Sequence, residues 1–182
     1  MRGLILGAAA MTAMASPALA EFTLSSPNVK SGSPMARAQV LASCGGQNLS
    51  PALNWAGEPA GTQSFAVTMI DTDARNGAGW WHWSVFNIPS SVHGLAAGAG
   101  RAGSDGLPQG AVQGRNDYGS ASYGGPCPPP GDHAHHYEIT VYALKAPSLP
   151  VGANAPGAEV AASLNANALA SAKIVGRYER IR

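Results

Sequence analysis

The chain has 182 residues, a formal net charge of +1 and only 12% charged residues, with 23 glycines and 14 prolines. Its length suits one domain with a real core. The near-neutral balance, with no basic stretch carrying interleaved aromatics, argues against nucleic acid or an anionic membrane surface as a partner. Glycine and proline make up about a fifth of the chain, above average but below the roughly 25–30% that marks disorder. A loop-rich, strand-rich globule is expected.

The first twenty residues have the layout of a targeting segment. Met1-Arg2 is positive, Gly3 to Ala15 is apolar, and Ala18-Leu19-Ala20 is a small-x-small cleavage site. The apolar part is shorter than the 18 or more residues that a membrane span needs. The expectation is a signal peptide over residues 1–20, cleaved near Ala20, and a single domain over residues 21–182. No lipid-attachment cysteine stands at the cleavage site. A periplasmic or secreted product without stable membrane insertion follows. Two cysteines remain, Cys44 and Cys127. In an oxidising compartment an even pair favours a disulfide.

Phe22 to Leu24 reads as a short strand, followed by a Ser/Pro/Gly turn region from Pro27 to Pro34. Cys44 to Pro51 is a turn segment and Ala52 to Trp55 a strand. Gln63 to Ile70 places Phe65, Val67 and Met69 on one face, while Ala66 and Ile70 keep the other partly apolar. That pattern suits a central strand covered on both sides. This strand delivers Asp71 and Asp73, which share a face if the chain stays extended. Asn76 to Gly79 turns the chain, and Trp80 to Ile88 returns as a strand that carries His82 back towards Asp71. Residues 90–113 are rich in Gly and Ala and read as a surface excursion.

From Gly114 the chain runs through a polar turn cluster and a loop, Tyr123-Gly-Gly-Pro-Cys-Pro-Pro-Pro-Gly131. Four prolines in five residues fix φ and remove backbone donors, so neither a helix nor a central strand fits there. The loop leads to His135-His136-Tyr137 and a strand to Leu144, with Tyr137, Ile139, Val141 and Ala143 alternating. Ala158 to Ala172 has helical spacing and high helix propensity. Lys173 to Ile181 closes as a short strand. Many short strands with turn signals and one late helix predict a mostly-β sandwich.

The chemistry-bearing residues are Asp71, Asp73, Trp80, His82, Tyr123, Pro126, His135 and Tyr137. A protonated imidazole donates from both nitrogens, and a carboxylate nearby orients the ring and favours its charged form. Two such rings beside the Gly-Gly turn form a seat for a small anion, with Trp80 and Tyr137 as walls. His133-x-His135-His136 with Asp71 also looks ligand-like. On a strand, however, His135 and His136 diverge and only His133 and His135 converge. No structural metal and no cofactor is expected. Neither a G-x-S-x-G elbow nor a phosphate-binding G-x-x-x-x-G-K-[ST] is present.

In order, the chain carries D-x-D-A at Asp71, W-H-W at Trp81, N-I-P at Asn87, G-R-N-D at Gly114, Y-G-G-P-C-P-P at Tyr123 and H-x-Y at His135. This series, from roughly Phe22 to the C-terminus, resembles the phosphatidylethanolamine-binding protein family, in its bacterial Raf-kinase-inhibitor-like branch. The resemblance implies a sandwich of two antiparallel sheets with small peripheral helices. It also implies a pocket for phosphate-like groups lined by the residues matching Asp71, His82, His135 and Tyr137, with Gly125 and Pro126 shaping its wall. Where the family commonly has His-Arg-Tyr, this chain has His135-His136-Tyr137. The expected function is binding of a small anion or phospholipid headgroup without catalysis. Two other readings stand beside it. One is an inhibitor that docks a hydrolase or kinase as protein partner. The other is an acid/base enzyme using Asp71 and His82.

Overall fold

The computed structural model describes residues 21–103 and 105–181; the expected signal segment, residues 1–20, lies outside them. In chain order the elements are β1 (Thr23–Ser25), β2 (Leu53–Ala56), β3 (Ser64–Asp71), β4 (Trp80–Pro89), β5 (Gly94–Leu95), β6 (Val112–Gln113), β7 (His135–Leu144), α1 (Gly157–Asn167) and β8 (Ala168–Tyr178). Three strands pair in the order β1-β2-β5 and five in the order β6-β4-β3-β7-β8. All of these pairings are antiparallel.

The two sheets face each other across the main core. Leu24, Leu53, Trp55 and Leu95 come from the small sheet; Phe65, Val67, Met69, Trp83, Val85, Ile139 and Val141 come from the large one. The other face of the large sheet is covered by α1, where Val160 and Leu164 meet Ala66, Phe86 and Leu144. Covered on both sides, β3 has alternate residues in different cores, which explains its nearly continuous apolar sequence.

The structure differs from the sequence expectation in two places. The late helix ends at Asn167 rather than Ala172, and the closing strand begins at once, at Ala168. Alanine propensity favours continuing the helix. Instead, residues Ala168 to Tyr178 hydrogen-bond along the whole of β7, from Leu144 back to His135. Tertiary pairing overrides the local preference, and Leu169, placed on the helical stripe by its spacing, lies exposed on the strand. The stretch 90–113 is also more than an excursion. It supplies β5 and β6, buries Leu95 and Ala99, and packs Val92, Leu107 and Ala111 against the core.

Cys44 and Cys127 form a disulfide with Cα atoms 5.8 Å apart, tying the end of a short 3₁₀ turn (Ala42–Cys44) to the proline loop. Around it the loop lies against backbone. The Leu41 amide donates to Pro126 O at 3.1 Å, and a Cβ on Gly125 would collide with Gln39 O and Leu41 N. With the cysteines 83 positions apart in sequence, the chain-entropy contribution of the bridge is about 4–5 kcal/mol. A Cys44→Ser/Cys127→Ser double variant is expected to lose a stability of that order in urea unfolding. An unchanged midpoint would contradict it.

Candidate functional site

Asp71 is the last residue of β3 and lies opposite Trp80 on β4 and Tyr137 on β7. Its Oδ1 accepts the backbone N–H groups of Asp73 at 3.0 Å and Ala74 at 3.1 Å, closing the turn that leaves the strand. Its Oδ2 meets His135 Nδ1 at 2.7 Å, and both side chains are almost wholly buried, at 4% and 5% exposure. Burial is the largest influence on His135 and pulls its pKa down. Asp71, with Asp132 at 3.4 Å from Nε2, outweighs burial and raises it above the ordinary histidine value. Of the two site rings, His135 is the one whose charged form its surroundings favour. Its stabilising charge is fully present below pH 6.5 and is lost as pH rises through the folded-state value.

His82 is treated in the opposite way. Met69 pairs with Trp83 and Ile70 with Trp81, so His82 is an extra residue, a β-bulge in β4. The bulge puts His82 and its neighbour Trp83 on the same side of the sheet. Ser84 faces the other way, where a Cβ on Gly114 would meet both its hydroxyl and Val160. The His82 ring lies edge-on between Tyr118 and Tyr137, at 5.5 and 5.2 Å. Its Nδ1–H donates to Gly124 O at 2.6 Å. Full burial pushes its pKa down to about 4 against the opposing pull of the Gly124 carbonyl and Asp71. At neutral pH His82 is an uncharged ring whose Nε2 offers a lone pair. It accepts there, whereas the sequence reading had it donating to an anion. No hydrogen bond joins it to Asp71, whose carboxylate is committed to His135 and the turn.

A cavity of about 480 Å³ opens over these groups. Its floor is Asp71, His82 and His135. One wall is Trp80 and Tyr118, the facing wall is Cys127, Pro128 and Pro129, and the rim holds Asp73 to Asn76, Asp132 and His133. Arg75 and Asn76 adopt left-handed backbone, with φ of 53° and 55°. This conformation holds the Arg75 guanidinium 4.3 Å above the Trp80 ring and 3.4 Å from Asp117. Non-glycine residues in this region are strained by about 1–3 kcal/mol each and cluster at functional sites.

Of the residues singled out from sequence, Asp71, Asp73, Trp80, His82 and His135 line the cavity. Asp73 is turned largely to another task. Its Oδ2 accepts the His136 amide at 2.6 Å and lies 2.9 Å from that residue's Nδ1. Burial works to raise the Asp73 pKa, but these bonds hold it below the usual carboxylate range. His136, in the place of the family's arginine, is thereby held on the outside of the cavity. Tyr137 lies behind His82, fully buried. Burial first and the Asp71 charge second keep that phenol protonated. Tyr123 is a core residue, packed on Trp83 and donating to Gln39 O at 2.9 Å. Gly125 and Pro126 stand one layer behind the wall.

Sequence reasoning missed Tyr118, Arg75 and Asp132 in the lining, and the asparagines that shape it. Asn48 donates to Tyr123 O at 3.1 Å and accepts from Gly125 N at 2.7 Å. Asn116 bridges Ser120 N and Ser122 O. The polar turn cluster was visible; that its amides serve to hold the loop rather than a ligand was not.

The sequence model described as phosphatidylethanolamine-binding protein matches residues 25–179. The chain is 50% identical over 162 residues to UPF0098 protein YbcL of Escherichia coli, with 88% of each chain covered. The crystal structure of YbcL, described as a new member of the mammalian PEBP family, superposes with a TM-score of 0.85 at 51% identity, covering 88% of this chain and 99% of that one. LppC of Mycobacterium tuberculosis, named as a lipoprotein, is 36% identical over 164 residues, covering 90% of this chain and 75% of its own. A homologue from Chlamydia trachomatis, CT736, superposes with a TM-score of 0.72 at 28% identity, covering 87% of this chain and 97% of that one.

A histidine kept neutral to about pH 4 in the folded state takes up its proton only on unfolding as pH falls from 6.5. The folded state therefore loses about 3 kcal/mol by pH 4 from His82 alone. Urea unfolding measured at pH 7, 6, 5 and 4.5 should show this decline, and His82→Asn should flatten it. An equal slope in the variant would contradict the assignment.

Proposed function

This chain belongs to the phosphatidylethanolamine-binding protein family, and from that premise we propose that it is an exported binding protein whose cavity takes a phospholipid headgroup or a related small phosphate compound, without catalysis. Support for export comes from the tripartite N-terminal sequence and from similarity to a relative named as a lipoprotein. No helix among the described residues is long and apolar enough to cross a membrane. The cavity lies within the roughly 300–1,000 Å³ of small-ligand sites.

The observation that carries the reading is the mixed charge around the cavity. Arg75 offers a cationic donor and His135 a ring whose charged form is favoured, while Asp73 and Asp132 at the rim and the neutral His82 Nε2 offer acceptors. A bare anion meets repulsion from the carboxylates. A zwitterion carrying phosphate and ammonium finds complementary partners for both ends. The ammonium can also displace the Arg75 guanidinium from the face of Trp80.

An amide-resolved NMR titration at pH 7 with phosphoethanolamine and with inorganic phosphate tests this. The expected result is saturable shifts around Asp71, Arg75, Trp80 and His135, tighter for phosphoethanolamine by several-fold and weakened about tenfold in Arg75→Ala. No saturable shift at millimolar ligand in the folded protein would overturn the reading and favour a protein partner instead.

A further inference from the structure

A second cluster stands at the cavity rim. Asp132 and His133 lie in the turn before β7, and His135 is the first residue of that strand. One donor atom from each of the three lies within 4.8 Å of the others. The His133 and His135 rings are 5.2 Å apart, as the two-residue spacing on an extended chain allows. Asp132 joins them, with Oδ1 2.9 Å from His133 Nδ1 and Oδ2 3.4 Å from His135 Nε2.

The second, independent feature lies behind the cluster. His135 donates its Nδ1–H to the buried Asp71 carboxylate, which is itself fixed by two backbone amides. That bond selects the tautomer and aims Nε2 at Asp132 and His133. A histidine oriented by a buried carboxylate through one nitrogen, with its other nitrogen turned to a converging His and Asp, is the arrangement of a metal-binding histidine. From this geometry we propose that Asp132, His133 and His135 bind a divalent transition metal of the Zn²⁺ class.

Two imidazole nitrogens and one carboxylate oxygen suit such an ion. Donors on a tetrahedral Zn²⁺ stand about 3.3 Å apart. The exposed side chains of Asp132 and His133 have the freedom to close that gap, while His135 stays fixed. Three protein ligands leave one position open. With metal bound, His135 Nε2 becomes a ligand rather than a donor, and the open position can take an oxygen of whatever occupies the cavity. This goes beyond the headgroup reading and is tested without any phosphate compound, so the two can fail separately.

The experiment is isothermal titration of the chelator-stripped protein with Zn²⁺ in a non-coordinating buffer. We expect one site, weakened at least tenfold by His133→Ala and by Asp132→Ala. Both residues are exposed, so the fold should survive, and circular dichroism checks that it does. Asp71→Asn, which removes only the positioning carboxylate, is expected to weaken binding about 10–100-fold. His93→Ala, at the separate His93–Glu58 pair, should leave it unchanged. Absence of binding at tens of micromolar Zn²⁺ overturns the proposal. So does binding that His133→Ala and Asp132→Ala leave intact, or that His93→Ala abolishes.

Discussion

The buried pair of Asp71 and His135 is the constraint on which the rest of the site depends. A carboxylate at 4% exposure is costly unless every lone pair is used. Here one oxygen takes two backbone amides and the other takes an imidazole. Through these bonds one side chain joins the end of β3, the start of β7 and the turn that presents Arg75 and Asn76. Removing either partner leaves a buried group uncompensated, a loss on the order of 3–5 kcal/mol. Geometry and charge are set by the same contact: the turn cannot shift without exposing the carboxylate, and the ring cannot rotate without losing its counter-ion.

Two histidines that both feel this carboxylate are shifted in opposite directions because their burial and their bonds differ. His135 gives its Nδ1–H to a carboxylate, which favours its charged form. His82 gives its Nδ1–H to a neutral carbonyl under full burial and stays neutral. The cavity therefore contains one ring biased towards its charged, donating form and one uncharged acceptor. Trp80 and Tyr118 form the aromatic wall of the same space, and Pro128 and Pro129 the rigid one.

The fold was largely legible in the sequence. The two-sided apolar pattern of residues 63–70 marked β3 as central, alternation marked β7, and the Gly-Pro run marked a rigid loop. The order of short motifs pointed to the family before any geometry was known. The end of the late helix was not legible, because alanine-rich segments favour helix locally and only pairing with β7 reveals the strand. Within the site, five of the nine singled-out residues line the cavity. Tyr123, Tyr137, Gly125 and Pro126 stand behind the lining, since a motif marks a segment and not the direction of each side chain. The bulge at His82 is likewise silent in sequence, yet it decides that His82 faces the cavity and Ser84 faces α1. Asp132 and Arg75 were overlooked because each sits in a turn with no periodicity to assign it a face.

Asp71 holds His135 at the floor of the cavity and raises its pKa. The most direct test is a pH titration of the His135 ring by imidazole ¹⁵N NMR in the native protein and in Asp71→Asn. The expected result is a pKa above 6.5 in the native protein that drops clearly in the variant, where burial is opposed by Asp132 alone. A His135 pKa unaltered by Asp71→Asn, or already below 6.5 in the native protein, would contradict it.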